Sequence, residues 1–107
     1  MNRQLWEILV PRSSNDGAEY ALEHHRVWDE HVREISGGLT ILKPAKGHWR
    51  SPDSVEYQVE EVIPVRILCT RPEIEQVIEL TLSHYDQRAV LAYRISDEVI
   101  LKRRDQR

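Results

Sequence analysis

The order of apolar segments in this sequence predicts an α+β fold with one antiparallel sheet and two helices on the same face. Two segments carry apolar residues at helical spacing, and the remaining apolar runs have the length and pattern of strands. The helical segments are residues 18–36 and 70–86, and the strand segments are residues 5–10, 39–42 with 47–50, 55–69 and 89–95. The resulting order is strand, helix, strand, strand, helix, strand, which is the ferredoxin-like arrangement.

The first and third strands should lie in the centre of the sheet. Residues 5–10 form a nearly continuous apolar run closed by Pro11, which is typical of a strand buried on both faces. Residues 55–69 form the longest apolar pattern in the chain. The second strand is interrupted at Pro44 and resumes near Gly47, and residues 99–101 are expected to pair back as a small C-terminal hairpin.

Residue types at the helix ends predict where each helix begins and ends. Asn15 or Asp16 can cap the first helix, and the pair Gly37 and Gly38 supplies the left-handed residue that often ends one. Thr70 followed by Glu73 fits a capping box, in which the two side chains satisfy backbone N–H groups reciprocally.

The face of the sheet that the helices leave open should also be covered. Apolar residues such as Leu42, Val62 and Leu68 would otherwise contact water. A second copy of the chain would cover them, so the sequence predicts a homo-oligomer formed through the open sheet face.

Composition narrows the class of protein. A chain of 107 residues suits one domain, spanning residues 1–107. The net charge of −3 disfavours nucleic acid as a partner, and no segment has the length of a membrane span. The single cysteine, Cys69, allows no intramolecular disulfide and is expected to be a buried, inert thiol. We therefore expect a cytoplasmic protein that uses no cofactor.

Glu61 is the most unusual residue of the long strand. In strict alternation it shares a face with Val59, Ile63 and other apolar residues, which predicts a carboxylate on the core side. Burial would raise its pKa, which is how general acids and bases arise, so Glu61 is the candidate catalytic residue. The alternatives are a bulge that turns Glu61 to solvent, or an ion pair with an arginine such as Arg66 or Arg94.

Four further residues are candidates for ligand binding. His48, Trp49 and Arg50 adjoin the long strand and combine an imidazole, an indole and a guanidinium, which would suit a small anionic or planar ligand. His31, in the first helix, is the fourth candidate. A metal site is not expected, because His24 and His31 are two helical turns apart and His24 and His25 diverge around the helix.

Several short motifs resemble a group of small bacterial proteins of unknown function. They are residues 15–17 (Asn-Asp-Gly), 38–40 (Gly-Leu-Thr), 47–49 (Gly-His-Trp), 60–61 (Glu-Glu), Tyr85 and 87–91 (Gln-Arg-Ala-Val-Leu). The resemblance implies a ferredoxin-like fold, also called an α/β plait, over most of the chain. It implies no activity, because a shared fold does not carry one.

Two functions are consistent with these features. The first is a homo-oligomeric module that binds a small ligand or only itself. The second is a small cofactor-free enzyme of the dimeric α/β barrel type, with Glu61 as acid/base and His48, Trp49 and His31 positioning the substrate.

Overall fold

The computed structural model describes residues 2–50 and 52–104, and within them it confirms the ferredoxin-like order of strands and helices. The five strands and two helices are β1 (Gln4–Pro11), α1 (Leu22–Ser36), β2 (Thr40–Ile41), β3 (Ala45–Trp49), β4 (Gln58–Cys69), α2 (Arg71–His84) and β5 (Ala92–Ser96). Neither described helix is long and apolar enough to cross a membrane.

The strands form one antiparallel sheet with β1 and β4 in its centre, as predicted. The order is β2-β4-β1-β5, and β3 pairs with β4 on the same side as β2. The register of β1 and β4 runs without interruption from Gln4 opposite Cys69 to Pro11 opposite Val62. The interrupted second strand is confirmed: Pro44 lies between β2 and β3, where its missing N–H removes a donor from the ladder.

The core lies between the sheet and the two helices. Trp28 on α1 is 1% exposed, and its indole Nε1 donates a 3.0 Å hydrogen bond to Oγ1 of buried Thr81 on α2. The other large buried side chains include Ile8, Val10, Val32, Val65, Ile67, Ile74, Val77 and Tyr85. On β1 and β4 these residues alternate, so the intervening side chains point to the opposite, open face of the sheet.

The capping box of α2 is confirmed. The Thr70 hydroxyl accepts from the backbone N–H of Glu73, and the Glu73 carboxylate accepts from the backbone N–H of Thr70. At the end of α1, Gly37 takes a positive φ of 91° and donates to the carbonyl of Arg33, as expected of a C-cap glycine.

The start of α1 was predicted wrongly. The helix begins at Leu22 rather than at residue 18, and its N-cap is Ala21, which has no side-chain capping bond. Asn15 and Asp16 do not cap it. The preceding segment folds instead into a loop closed by backbone bonds, such as the one from Tyr20 N–H to the Arg12 carbonyl at 3.1 Å.

Two strand predictions also need correction. Residues 99–101 form no strand, so the predicted C-terminal hairpin is absent from residues 97–104. Strand β4 begins at Gln58 and not at residue 55, because its partner β3 ends opposite Gln58, at Trp49. Val55 and Tyr57 are consequently 89% and 64% exposed and do not line the core.

Candidate functional site

A polar cluster occupies the centre of the open sheet face. The strand register places Glu7 of β1 directly opposite Arg66 of β4 on one side and Tyr93 of β5 on the other. Arg66 Nε donates a 3.0 Å hydrogen bond to one carboxylate oxygen of Glu7, and the Tyr93 hydroxyl donates to the other. Glu7 is only 8% exposed, so these neighbours, rather than water, solvate most of its charge.

These contacts set the protonation states of the cluster. Burial alone would raise the pKa of Glu7, but the hydrogen bonds from Tyr93 and Arg66 outweigh it and leave that pKa below its ordinary value. The same hydrogen bond to Glu7 raises the pKa of Tyr93. At neutral pH Glu7 is therefore a carboxylate and Tyr93 a protonated phenol. The cluster holds the half-exposed Arg66 guanidinium in a fixed position.

A groove of about 1270 Å³ opens where β1 ends and β4 begins. It lies among these strands, residues 12–19 and residues 87–91. Its apolar lining includes Leu9, Val62, Leu91 and the indole of Trp49, and its polar lining includes side chains of the two connecting segments. A concave surface with apolar and polar parts can hold a small amphipathic molecule.

An arginine brings two carboxylates together in the groove. Arg12 Nε lies 3.0 Å from a carboxylate oxygen of Glu19, and Arg12 Nη1 donates to the carboxylate of Glu61. The hydrogen bond that Arg12 donates to Glu61, together with the negative charges of Glu61 and Glu19, raises the pKa of Arg12. All three residues line the groove, so this ion-paired cluster forms a charged part of its surface.

Glu61 does not lie in the core, contrary to the expectation from alternation. Its side chain is 54% exposed, and its partner is Arg12 rather than Arg66 or Arg94. No bulge causes this exposure, because the pairing of β4 with β3 is continuous from Val62 to Gln58. Residues 58–61 are all exposed, since this part of β4 carries no buried side chain on either face.

The structure brings together only some of the residues predicted for a site. Trp49 lines the groove with Glu61, and its indole lies over Gly47, where an added Cβ would meet Nε1 at 2.9 Å. His48, Arg50 and His31 are exposed and do not line the groove. The guanidinium of Arg50 instead lies 5.3 Å from the centre of the Tyr57 ring.

One of the three cluster residues that the sequence analysis did not assign to a site could have been recognised from the sequence. Glu7 is a lone carboxylate within the apolar run at residues 5–10, so the reasoning applied to Glu61 applies to it equally. Its partners Arg66 and Tyr93 follow only from the strand register. Among the described residues, no group of three or more His, Cys, Asp or Glu side chains is arranged to hold a metal ion.

The sheet, the helices and the open face define a ferredoxin-like α+β protein, and solved structures share this fold. A phage SAM lyase in complex with S-methyl-5'-thioadenosine aligns with a TM-score of 0.66 at 13% identity, covering 89% of this chain and 90% of that chain. The periplasmic divalent cation tolerance protein CutA from Archaeoglobus fulgidus aligns with a TM-score of 0.67 at 13% identity, covering 94% and 88%.

A second cation tolerance protein, CutA1 from Thermus thermophilus, aligns with a TM-score of 0.63 at 13% identity, covering 91% of this chain and 87% of that chain. Identities this low show the fold alone. No protein-family model and no curated protein sequence matches the chain. The resemblance to a group of small bacterial proteins and the cytoplasmic location therefore stay predictions.

Proposed function

We propose that the protein is a homo-oligomeric module that binds a small molecule in the groove at the end of the open sheet face. The observation that carries the proposal is the chemistry of this face. Leu5, Leu9 and Leu68 are partly exposed on it. The charge at its centre is already neutralised, because both carboxylate oxygens of Glu7 accept hydrogen bonds. Burying such a face against another copy leaves few polar groups of the cluster without partners.

Self-association is tested by measuring the mass of the native protein, whose subunit is 12.6 kDa. We expect native mass spectrometry and light scattering to report a multimer. Leu68→Arg, on the open face, should convert it to a monomer, because the new charge would have to be buried in the interface. Leu22→Arg is the matched control, since Leu22 is 64% exposed on α1. A monomeric wild-type protein would contradict the proposal.

The groove favours a ligand that combines a planar ring with a positive charge. Trp49 offers an aromatic surface, and Glu60, which shares its face of the sheet, places a carboxylate in the same groove. Stacking on an aromatic side chain and attraction to carboxylates are the contacts that a nucleoside sulfonium compound would use. The similar phage SAM lyase is solved with S-methyl-5'-thioadenosine. We therefore propose an adenosine thioether or sulfonium as the ligand class.

Calorimetric titration with S-methyl-5'-thioadenosine and with SAM tests this ligand class. Trp49→Ala should weaken binding by about 10-fold or more, the usual loss when a base loses its aromatic stacking partner. His48→Ala is the control, because His48 is the adjacent residue of β3 and does not line the groove. Equal affinities for the wild-type protein and Trp49→Ala, or no binding of either compound, would reject the ligand class.

A small cofactor-free enzyme with Glu61 as acid/base is the second candidate. The observation favouring it is that the Glu61 carboxylate lines the groove, where Arg12 holds it. A carboxylate that accepts a hydrogen bond from a guanidinium suits a general base better than a general acid. Glu61→Gln should then abolish any turnover of SAM while leaving the fold intact, and chromatographic analysis of the products tests it. Turnover unchanged in Glu61→Gln would exclude this role.

A further inference from the structure

Two histidines join the helices on the side away from the polar cluster. His24 lies in the first turn of α1, and His84 is the last residue of α2. Nε2 of His24 lies 2.8 Å from the His84 carbonyl oxygen, and Nε2 of His84 lies 2.7 Å from the His24 carbonyl oxygen. A carbonyl oxygen only accepts hydrogen bonds, so both Nε2 atoms carry a hydrogen. The two rings stack with their centres 4.0 Å apart.

Aromatic rings surround this pair. Tyr20 stacks on His24 at 4.8 Å between ring centres, and Tyr85 presents its ring edge-on to His24 at 5.2 Å and to His84 at 5.0 Å. The Tyr85 hydroxyl lies 2.6 Å from Nδ1 of His25. Burial raises the pKa of Tyr85 and lowers that of His25, which favours the neutral phenol and the neutral imidazole.

The charged groups nearest to these histidines in the chain or in their electrostatics lie on α1, before α1 and after α2. Asp29 on α1 favours a positive charge at His25, whereas charges on His24, His84 and Arg12 oppose one. Burial raises the pKa of Asp29. Glu23 directly precedes His24 in the chain, and Asp86 directly follows Tyr85.

The residues that follow His84 hold one wall of the groove. The Asn15 side-chain amide donates to the Asp86 carbonyl at 3.1 Å, and the Gln87 side chain donates to Asn15 at 3.3 Å. The Tyr20 hydroxyl donates to the Tyr85 carbonyl at 2.7 Å. Asn15 and Gln87 both line the groove, so the end of α2 fixes the position of this wall.

We propose that His24 and His84 form a proton-operated latch that holds the ends of α1 and α2, and with them this wall of the groove, together at neutral pH. Neutral rings keep both hydrogen bonds, and so does a pair with one charged ring, because Nε2 remains a donor in either state. Two charged rings at this separation repel each other. The helix dipoles stabilise a positive charge at His84 and oppose one at His24. Doubly protonated rings therefore separate, and the latch opens as the pH falls below the range in which histidine usually titrates.

That the latch controls ligand binding rests on the proposed function. The existence of the latch does not depend on that function. Its test needs no ligand. The side-chain amide resonances of Asn15 and Gln87 in the full-length protein are followed by NMR from about pH 7.5 to about pH 4.5, across the usual histidine titration and just below it. In the wild-type protein we expect both amide resonances to shift with the second of the two imidazole protonations, the one that charges both rings of the His24–His84 pair.

His84→Gln keeps a side-chain N–H donor and cannot gain a proton, so the pH response of the two amides should disappear. His31→Gln is the control, because His31 is exposed on α1, and it should retain the wild-type response. If His84→Gln does not fold, His24→Gln removes the other half of the pair and gives the same test. Amide shifts of equal size in the wild-type protein and in the latch variant would assign the response to His25 and overturn the proposal.

Discussion

Replacing Arg66 with methionine should lower the free energy of unfolding by about 2 kcal/mol at neutral pH. The substitution removes the 3.0 Å hydrogen bond from Nε and the positive charge, and it leaves the Glu7 carboxylate bonded to Tyr93 alone. Removing one partner of a fully buried ion pair costs roughly 3–5 kcal/mol. We expect less here, because the Arg66 side chain is 45% exposed.

The pH dependence of this loss follows from the pKa of Glu7. In the wild-type protein that pKa lies below the ordinary value of 4.5, so the cluster contributes stability above pH 4.5 that is lost as the pH falls. In Arg66→Met, burial acts with less opposition and raises the pKa of Glu7. The cost of the buried charge is then relieved as the pH falls, and the stabilities of the two proteins should converge below pH 4.5.

Urea unfolding at one protein concentration, followed by tryptophan fluorescence, to which the buried Trp28 contributes, measures both quantities. Arg94→Met is the control, since Arg94 is an exposed residue of β5 and should change stability by less than about 0.5 kcal/mol. The double variant Glu7→Leu/Arg66→Met should recover most of the loss, because no unpaired charge remains. The reasoning is refuted if Arg66→Met lowers the free energy of unfolding equally at neutral pH and below pH 4.5, or if it does not lower it at neutral pH.

Three further predictions concern stability and follow from single contacts. Thr81→Val should cost about 1–3 kcal/mol in urea unfolding, because it leaves the indole N–H of Trp28 buried without an acceptor; Thr81→Ser keeps the hydroxyl and should cost less. Thr70→Ala removes the capping box with Glu73 and should cost about 1 kcal/mol, with faster amide hydrogen exchange in the first turn of α2; unchanged exchange there would contradict it. Burial lowers the pKa of His25 below 6.5, so the folded state binds this proton less readily than the unfolded state does, and stability should fall as the pH drops below 6.5. His25→Gln should flatten that part of the stability profile, and an unchanged slope would exclude His25 as its source.

The sequence was sufficient to predict the order of elements and the central strands, because these depend on apolar continuity. Residues 5–10 and the second half of β4 are buried in the way that their composition indicates. The capping box of α2 was equally predictable, since Thr70 and Glu73 lie within one turn and need no tertiary partner. Local or periodic features of this kind are specified by neighbouring residues alone.

The candidate site was harder to predict because it depends on where the helices stop covering the sheet. Glu7 and Glu61 are both single carboxylates in apolar strand patterns, yet Glu7 lies at the middle of the sheet and Glu61 beyond its buried part. Arg66 was considered as a partner for Glu61, but the register of β1 with β4 assigns it to Glu7. His24 and His84 are 60 residues apart, so only the packing of α1 against α2 brings them together.

The paired segments 46–49 and 58–61 contain no buried side chain. Backbone hydrogen bonds between the two segments maintain their pairing. Packing of buried side chains begins only at Val62, the next residue of β4. Selection for foldability therefore acts weakly on this hairpin. Its sequence and length can change over evolutionary time without loss of the scaffold, and new recognition properties can arise there at little cost to the rest of the molecule.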